Sequence, residues 1–161
     1  MSKIRLLILL LISFVFFGCS SNNQLSNKMG LSVAYIGGEY DGLVLSNKLK
    51  SYLNGFNMLN NQSNFEIQAN ISHSTNLFIT NVDNTSDRER VSTTINFKIF
   101  NKIKNCFTYS TSENVSQFYV LASSDKFISN KSALEKIKIE HTEYLVKKFI
   151  NGLNQNYFVC A

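Results

Sequence analysis

Side chains able to do chemistry are few in this chain. Its cysteines are Cys19, Cys106 and Cys160, and its histidines are His73 and His141. No Cys or His cluster has the spacing of a zinc site. There is no Gly-x-Ser-x-Gly elbow, no phosphate-binding loop and no dinucleotide fingerprint. Gly37-Gly38 reads as a turn rather than a phosphate cradle. Asp83, Asp87 and Glu89 are close together, but in a polar stretch where carboxylates are simply solvated. His141 falls on an apolar helical stripe, where it reads as a core-edge residue and not a metal ligand. With no catalytic constellation, the expectation is a protein that is not an enzyme and carries no cofactor or metal.

Cys19 stands apart because of what precedes it. Lys3 and Arg5 are followed by Leu6–Phe17, apolar at every position except Ser13. Those 12 residues are too few to span a bilayer as a helix, which takes about 20. A positive start, a short apolar run and a small exit residue describe a secretory signal peptide. The exit, Phe16-Phe17-Gly18-Cys19, resembles the lipobox of bacterial lipoproteins, matching it at Gly18 and Cys19 and departing from it at Phe16 and Phe17. The resemblance implies that residues 1–18 are removed and that Cys19 is lipidated. Several acyl chains hold a soluble domain stably on a membrane. Ser20, in place of the aspartate that retains such proteins at the inner membrane, points to the outer membrane.

Removal of residues 1–18 leaves 143 residues (161 minus 18), enough for one domain with a modest core. Its balance is fourteen bases against eleven acids, or +3. That mild excess is compatible with an anionic partner and gives no reason to expect a nucleic acid. An oxidising compartment permits a disulfide between Cys106 and Cys160. The alternative is a buried Cys106 and a free Cys160 near the C-terminus.

The pattern of apolar residues gives elements that position these groups. Residues 19–29 are the lipidated cysteine and a polar, flexible tether, and 30–161 form a single domain. Leu31–Ile36 reads as a strand. Asp41 is a candidate helix N-cap before an amphipathic helix over Gly42–Gly55. Phe65–Ile71 alternates as a strand; after a polar break over Ser72–Asn76, Leu77–Val82 resumes it. Asp83–Asp87 is a turn. Val91–Ile99 is the clearest alternation in the chain. Asn101–Asn105 is a tight connection into a fourth strand, Cys106–Thr111. From about Ser124 the helical period returns, with Leu134, Ile137, His141, Leu145 and Phe149 on one stripe up to Gly152. The order is β-α-β-β-β-α. It predicts an α+β two-layer sandwich, with a four-stranded sheet and both helices on one face.

The mature chain resembles the LptE family of lipopolysaccharide-assembly lipoproteins, in its alphaproteobacterial form. The resemblance runs through the helix "GLVLSNKLKSYL", the turn and strand "ITNVDNTSDRERVSTTINFKIF", the Ser-rich passage "TSENVSQFYVLASSDKF" with Tyr119 and Ala122, and the long helix "SALEKIKIEHTEYLVKKFINGL". Arg88 or Arg90 takes the family's arginine place after the turn. The resemblance implies an outer-membrane lipoprotein that partners and plugs the β-barrel LptD and contacts lipopolysaccharide. The lumen of a large barrel is polar, which suits a domain rich in Asn, Ser and Thr. For lipopolysaccharide itself, the candidate residues are Arg88, Arg90, Lys98, Lys102 and Lys104, through charge-assisted bonds to phosphate. The competing reading is an auxiliary lipoprotein of an ABC-type lipid transport system, or another envelope-assembly lipoprotein.

Overall fold

The alternation through Val91–Ile99 marks the centre of the sheet. The computed structural model describes residues 30–79, 87–122, 126–153 and 160. In it, Val91, Thr93, Ile95, Phe97 and Ile99 are all fully buried on one face. They belong to strand β3 (Asp87–Asn101), which lies between β2 (Phe65–Ile79) and β4 (Cys106–Val120). Each of the three is 15 residues long, and both pairings are antiparallel. β1 (Ser32–Gly37) adds to the outside of β2 in parallel. Helix α1 (Glu39–Gly55) connects β1 to β2, and helix α2 (Phe127–Gly152) follows β4. The order is β-α-β-β-β-α, an α+β fold with a four-stranded mixed sheet and both helices on one sheet face.

The two helices close over the sheet because their apolar stripes match its inner rows. Leu45, Leu49 and Leu53 of α1 and Leu145, Val146, Phe149 and Ile150 of α2 meet Ile67, Ala69 and Ile71 of β2 and the inner row of β3. Phe97 stacks on Phe149 with ring centres 4.0 Å apart. Between the helices, Lys48 bridges to Glu143 at 2.5 Å and the Tyr52 hydroxyl donates to the same carboxylate at 3.0 Å. The Lys48 bond, followed by the Tyr52 bond, holds the Glu143 carboxyl below its ordinary range.

Two elements begin and end differently from the sequence reading. Asp41 is not the cap of α1: the helix starts at Glu39, with Gly38 at the cap in a left-handed conformation (φ 115°). A side chain at Gly38 would press on Ile71, so glycine is required there twice over. Asp41 lies within the first turn, where its charge suits the helix dipole. The polar stretch Ser72–Asn76 is not a break. It is continuous strand, with Ser72 paired to Thr94 and Ser74 to Ser92, so short hydroxyl side chains face one another across the ladder. β4 likewise runs on past Thr111 to Val120. Of the expected Asp83–Asp87 turn, residues 83–86 lie outside the described residues, and Asp87 opens β3.

A polar chain crosses the core. His73 on β2 pairs in register with Thr93 on β3. The Thr93 hydroxyl lies 2.8 Å from His73 Nδ1 and 3.0 Å from His141 Nδ1 on α2. The Asp41 carboxylate is 3.7 Å from His73 Nε2, so we assign the proton to that nitrogen. His73 Nδ1 then accepts from the Thr93 hydroxyl, and Thr93 accepts from His141 Nδ1–H. His141 Nε2 is left as a bare, buried acceptor, the less costly of the two possible orphans.

Burial pushes both histidines below their ordinary value. Asp41 and Glu135 pull His73 partly back while Lys138 and His141 add to the depression, and Glu140 pulls His141 partly back. The unfolded chain therefore binds more protons than the folded one below about pH 6.5.

Two outcomes are expected. Unfolding free energy will be at its plateau above about pH 6.5 and fall as the pH drops through that value, by at most about 1.4 kcal/mol per pH unit for each histidine. Glu143, with its depressed carboxyl, acts at lower pH and lies outside this window. Urea titrations at pH 7.5 and 5.5 measure the fall, and a His73→Gln, His141→Gln double variant will flatten it. Phe97→Ala, which empties the stack on Phe149, will cost about 3–5 kcal/mol in the same titration.

Candidate functional site

The sheet face away from the helices is open. On β2 it carries Glu66, Gln68, Asn70, Ser72, Ser74 and Asn76; the matching positions on β3 are Lys98, Asn96, Thr94 and Ser92, and on β4 Ser110, Ser112, Asn114 and Ser116. The middle of the face is thus uncharged and polar. Asn114 donates to Thr94 Oγ1 at 2.8 Å and to the Thr93 carbonyl at 3.2 Å, stitching β4 to β3. Tyr35 of β1 overhangs a shallow groove of about 480 Å³ along Gln68, Asn70, Asn96 and Ser112. These side chains can donate and accept hydrogen bonds in many directions. They offer no nucleophile–base pair.

Charge and apolar surface are concentrated at the two ends of this face. At one end lie Arg88 and Arg90. Arg88 is paired in register with Phe78 and Val120, and Arg90 with Phe118. The Phe118 ring packs edge-on to Phe78 at 5.5 Å, and the Arg90 guanidinium lies 5.6 Å from its centre while donating to Ser116 at 3.1 Å. Phe118 and Val120 remain more than half exposed, at 53% and 63%. On the inner side of this end, the Tyr119 hydroxyl donates to the Glu89 carboxylate. Burial and then that bond push Tyr119 up to about 12.

At the other end lie Lys98 and the β3–β4 hairpin with Lys102 and Lys104. Lys98 Nζ stands 5.2 Å from the centre of Phe107, which packs against Phe100. Asn101 Oδ1 accepts from the backbone N–H of Ile103 and Lys104, and Asn105 takes the left-handed conformation that closes the turn. Cys106, the first residue of β4, is disulfide-bonded to Cys160, with Cα atoms 6.3 Å apart.

The five basic residues proposed from sequence are therefore not brought together. Arg90 and Lys98, the nearest members of the two ends, are 8 positions apart (98 minus 90) on one extended strand, or about 27 Å. That is further than one lipid headgroup reaches, so Arg88 and Arg90 form one group and Lys98, Lys102 and Lys104 another. Cys19 lies outside the described residues. Sequence reading missed Phe78, Phe118, Val120 and Phe107. Phe118 and Val120 share the two-residue phase of Asn114 and Ser116, so the signal was present once β4 was extended.

Among the described residues, no group of three or more His, Cys, Asp or Glu side chains is placed to hold a metal ion, and no helix is long and apolar enough to cross a membrane.

No family model and no curated protein matches the chain significantly. Solved structures match its fold. A minor lipoprotein from Acinetobacter baumannii superimposes with a TM-score of 0.60 at 14% identity, covering 84% of this chain and 97% of that one. Rare lipoprotein B from Shewanella oneidensis gives 0.59 at 11% identity, covering 76% and 91%. A Caulobacter crescentus chain gives 0.52 at 12% identity, covering 74% and 83%. At these identities the likeness is one of fold.

Proposed function

We propose that this chain is an outer-membrane lipoprotein of the LptE type, anchored through Cys19, that partners and plugs the barrel LptD in lipopolysaccharide assembly. The observation that carries this reading is the open sheet face. It is a long, flat, uncharged polar surface of Ser, Thr, Asn and Gln, which suits the polar interior of a large barrel. An apolar face would instead call for a greasy partner. The shared fold with two proteins named as lipoproteins supports an envelope role, as does the lipobox-like Gly18-Cys19 junction.

Lipopolysaccharide contact falls to the end that joins Arg88 and Arg90 to Phe78, Phe118 and Val120. Guanidinium groups pair with phosphate in a two-pronged way, and the exposed rings and Val120 meet acyl chains. No bond is made or broken in this role; the domain binds and positions.

Two measurements test the proposal. Purification of the acylated protein in mild detergent will bring down a large outer-membrane barrel; recovery of an ABC transporter or its periplasmic conduit instead would favour the competing lipoprotein role. Binding to lipopolysaccharide at physiological salt will weaken about tenfold or more in an Arg88→Glu, Arg90→Glu variant. Unchanged binding would remove this end of the sheet from the contact.

A further inference from the structure

Gly30, where the described residues begin, sits at the hairpin end of the sheet. Ser63 donates its hydroxyl to the Gly30 carbonyl, and the neighbouring Asn64 carbonyl accepts the backbone N–H of Lys102 at 2.8 Å. Leu31 is fixed beside them, donating to Met58 at 2.7 Å and accepting from Asn60 at 2.9 Å. The segment between Cys19 and Gly30 comprises residues 19–29, which reach at most about 38 Å when fully extended. Of the two cationic ends of the open face, the hairpin end adjoins this segment. The Arg88–Arg90 end lies a further strand-length away.

We propose that the β3–β4 hairpin is a membrane-docking surface, laying Lys102, Ile103 and Lys104 onto the anionic phospholipid surface in which Cys19 is anchored. This rests on the reading of Cys19 as lipidated. Ile103 is 73% exposed between the two lysines, and the Asn101 side chain holds the turn in one shape. Phe107, 51% exposed, and Lys98 extend the same chemistry down the outer face. Among the described residues, the carboxylate on that face is Glu66, opposite Phe100 and bonded to Gln68, so three described cations are set against one described acid.

An aliphatic tip flanked by lysines suits the boundary between headgroups and acyl chains. Each lysine close to an anionic surface strengthens binding about fivefold. Alone, so small a patch binds weakly. The tether supplies the rest by making the contact intramolecular at high effective concentration. In the lipoprotein not yet engaged by its barrel, docking at this end would leave the open face and the Arg88–Arg90 end clear of the bilayer and accessible.

The chain contains no tryptophan, which makes the test direct. The acylated full-length protein carrying Ile103→Trp is reconstituted into phosphatidylethanolamine–phosphatidylglycerol vesicles, with or without brominated acyl chains. Flotation with the vesicles reports the anchor; quenching of the single tryptophan reports docking. The expected result is flotation together with quenching of about twofold or more at position 103. Quenching will be absent in a Phe118→Trp control at the far end. It will be lost from position 103 on reversal of Lys98, Lys102 and Lys104 to Glu, with flotation retained. Flotation without quenching at position 103 overturns the docking surface and leaves the anchor standing. Equal quenching at 103 and 118, or quenching indifferent to charge reversal, also overturns it. Failure to float overturns the anchor, and the docking with it.

Discussion

The two-residue phase of β3 is the constraint on which the rest of the molecule depends. Val91, Thr93, Ile95, Phe97 and Ile99 are fully buried, and the residues between them face solvent. β3 is flanked on both sides, so its register sets both neighbours. A slip of one residue would turn this entire row outward and bring Ser92, Thr94, Asn96 and Lys98 under the helices. The polar chain adds to the apolar term. Thr93 meets His73 and His141 together only when β2, β3 and α2 are all in place. In any other arrangement those groups are buried unpaired, so the chain penalises misalignment more than it stabilises alignment.

Much of this was legible before any coordinates, for a physical reason. Burial on one side imprints a period on the residues, and the strongest periods, Val91–Ile99 and Leu134–Phe149, gave the order of elements and the shared face for both helices. The errors fell where the period carries no hydrophobic contrast. In Ser72–Asn76 and Ser112–Ser116, polar residues occupy the outer positions, and His73, Thr75 and Glu113 stand at inner ones, leaving Val115 as the single apolar inner residue. Alternation of hydrophobicity is too weak there to read although the strand continues. What holds it is pairing with β3, which one segment read alone cannot reveal. The helix start was misplaced for a related reason. Asp41 has the composition of a cap, but the left-handed turn at Gly38 begins the helix earlier.

The candidate site was less legible than the fold. Arg88, Arg90, Lys98, Lys102 and Lys104 are near neighbours along the chain, and proximity in sequence is a fair guide to proximity in space for a helix or loop. A strand defeats it, because each residue adds about 3.3 Å of rise. The same geometry separates the apolar residues and assigns them to ends. Phe78, Phe118 and Val120 accompany the arginines, and Ile103 and Phe107 the lysines. What reads in sequence as one diffuse basic stretch is two amphiphilic patches with an uncharged polar field between them.

That division follows from how a sheet with one open face must be finished. The open face is left to water or a partner, and an apolar surface there would invite association. Its centre is accordingly Ser, Thr, Asn and Gln, which pair across strands without attracting other hydrophobic surfaces. β4 is an edge as well as a face, 15 residues long. Long, flat edges recruit foreign strands unless something blunts them. Here a register shift between Ile99 and Phe100 distorts the ladder near the hairpin, the disulfide to Cys160 ties down the first residue of β4, and Lys148 of α2 reaches Glu113 at 2.6 Å in its middle. Large exposed side chains on this face are thereby confined to the ends and to the overhanging Tyr35, where they do not form a continuous greasy edge. The physics that keeps the sheet from pairing indiscriminately is the same physics that gives its two ends distinct surfaces to present.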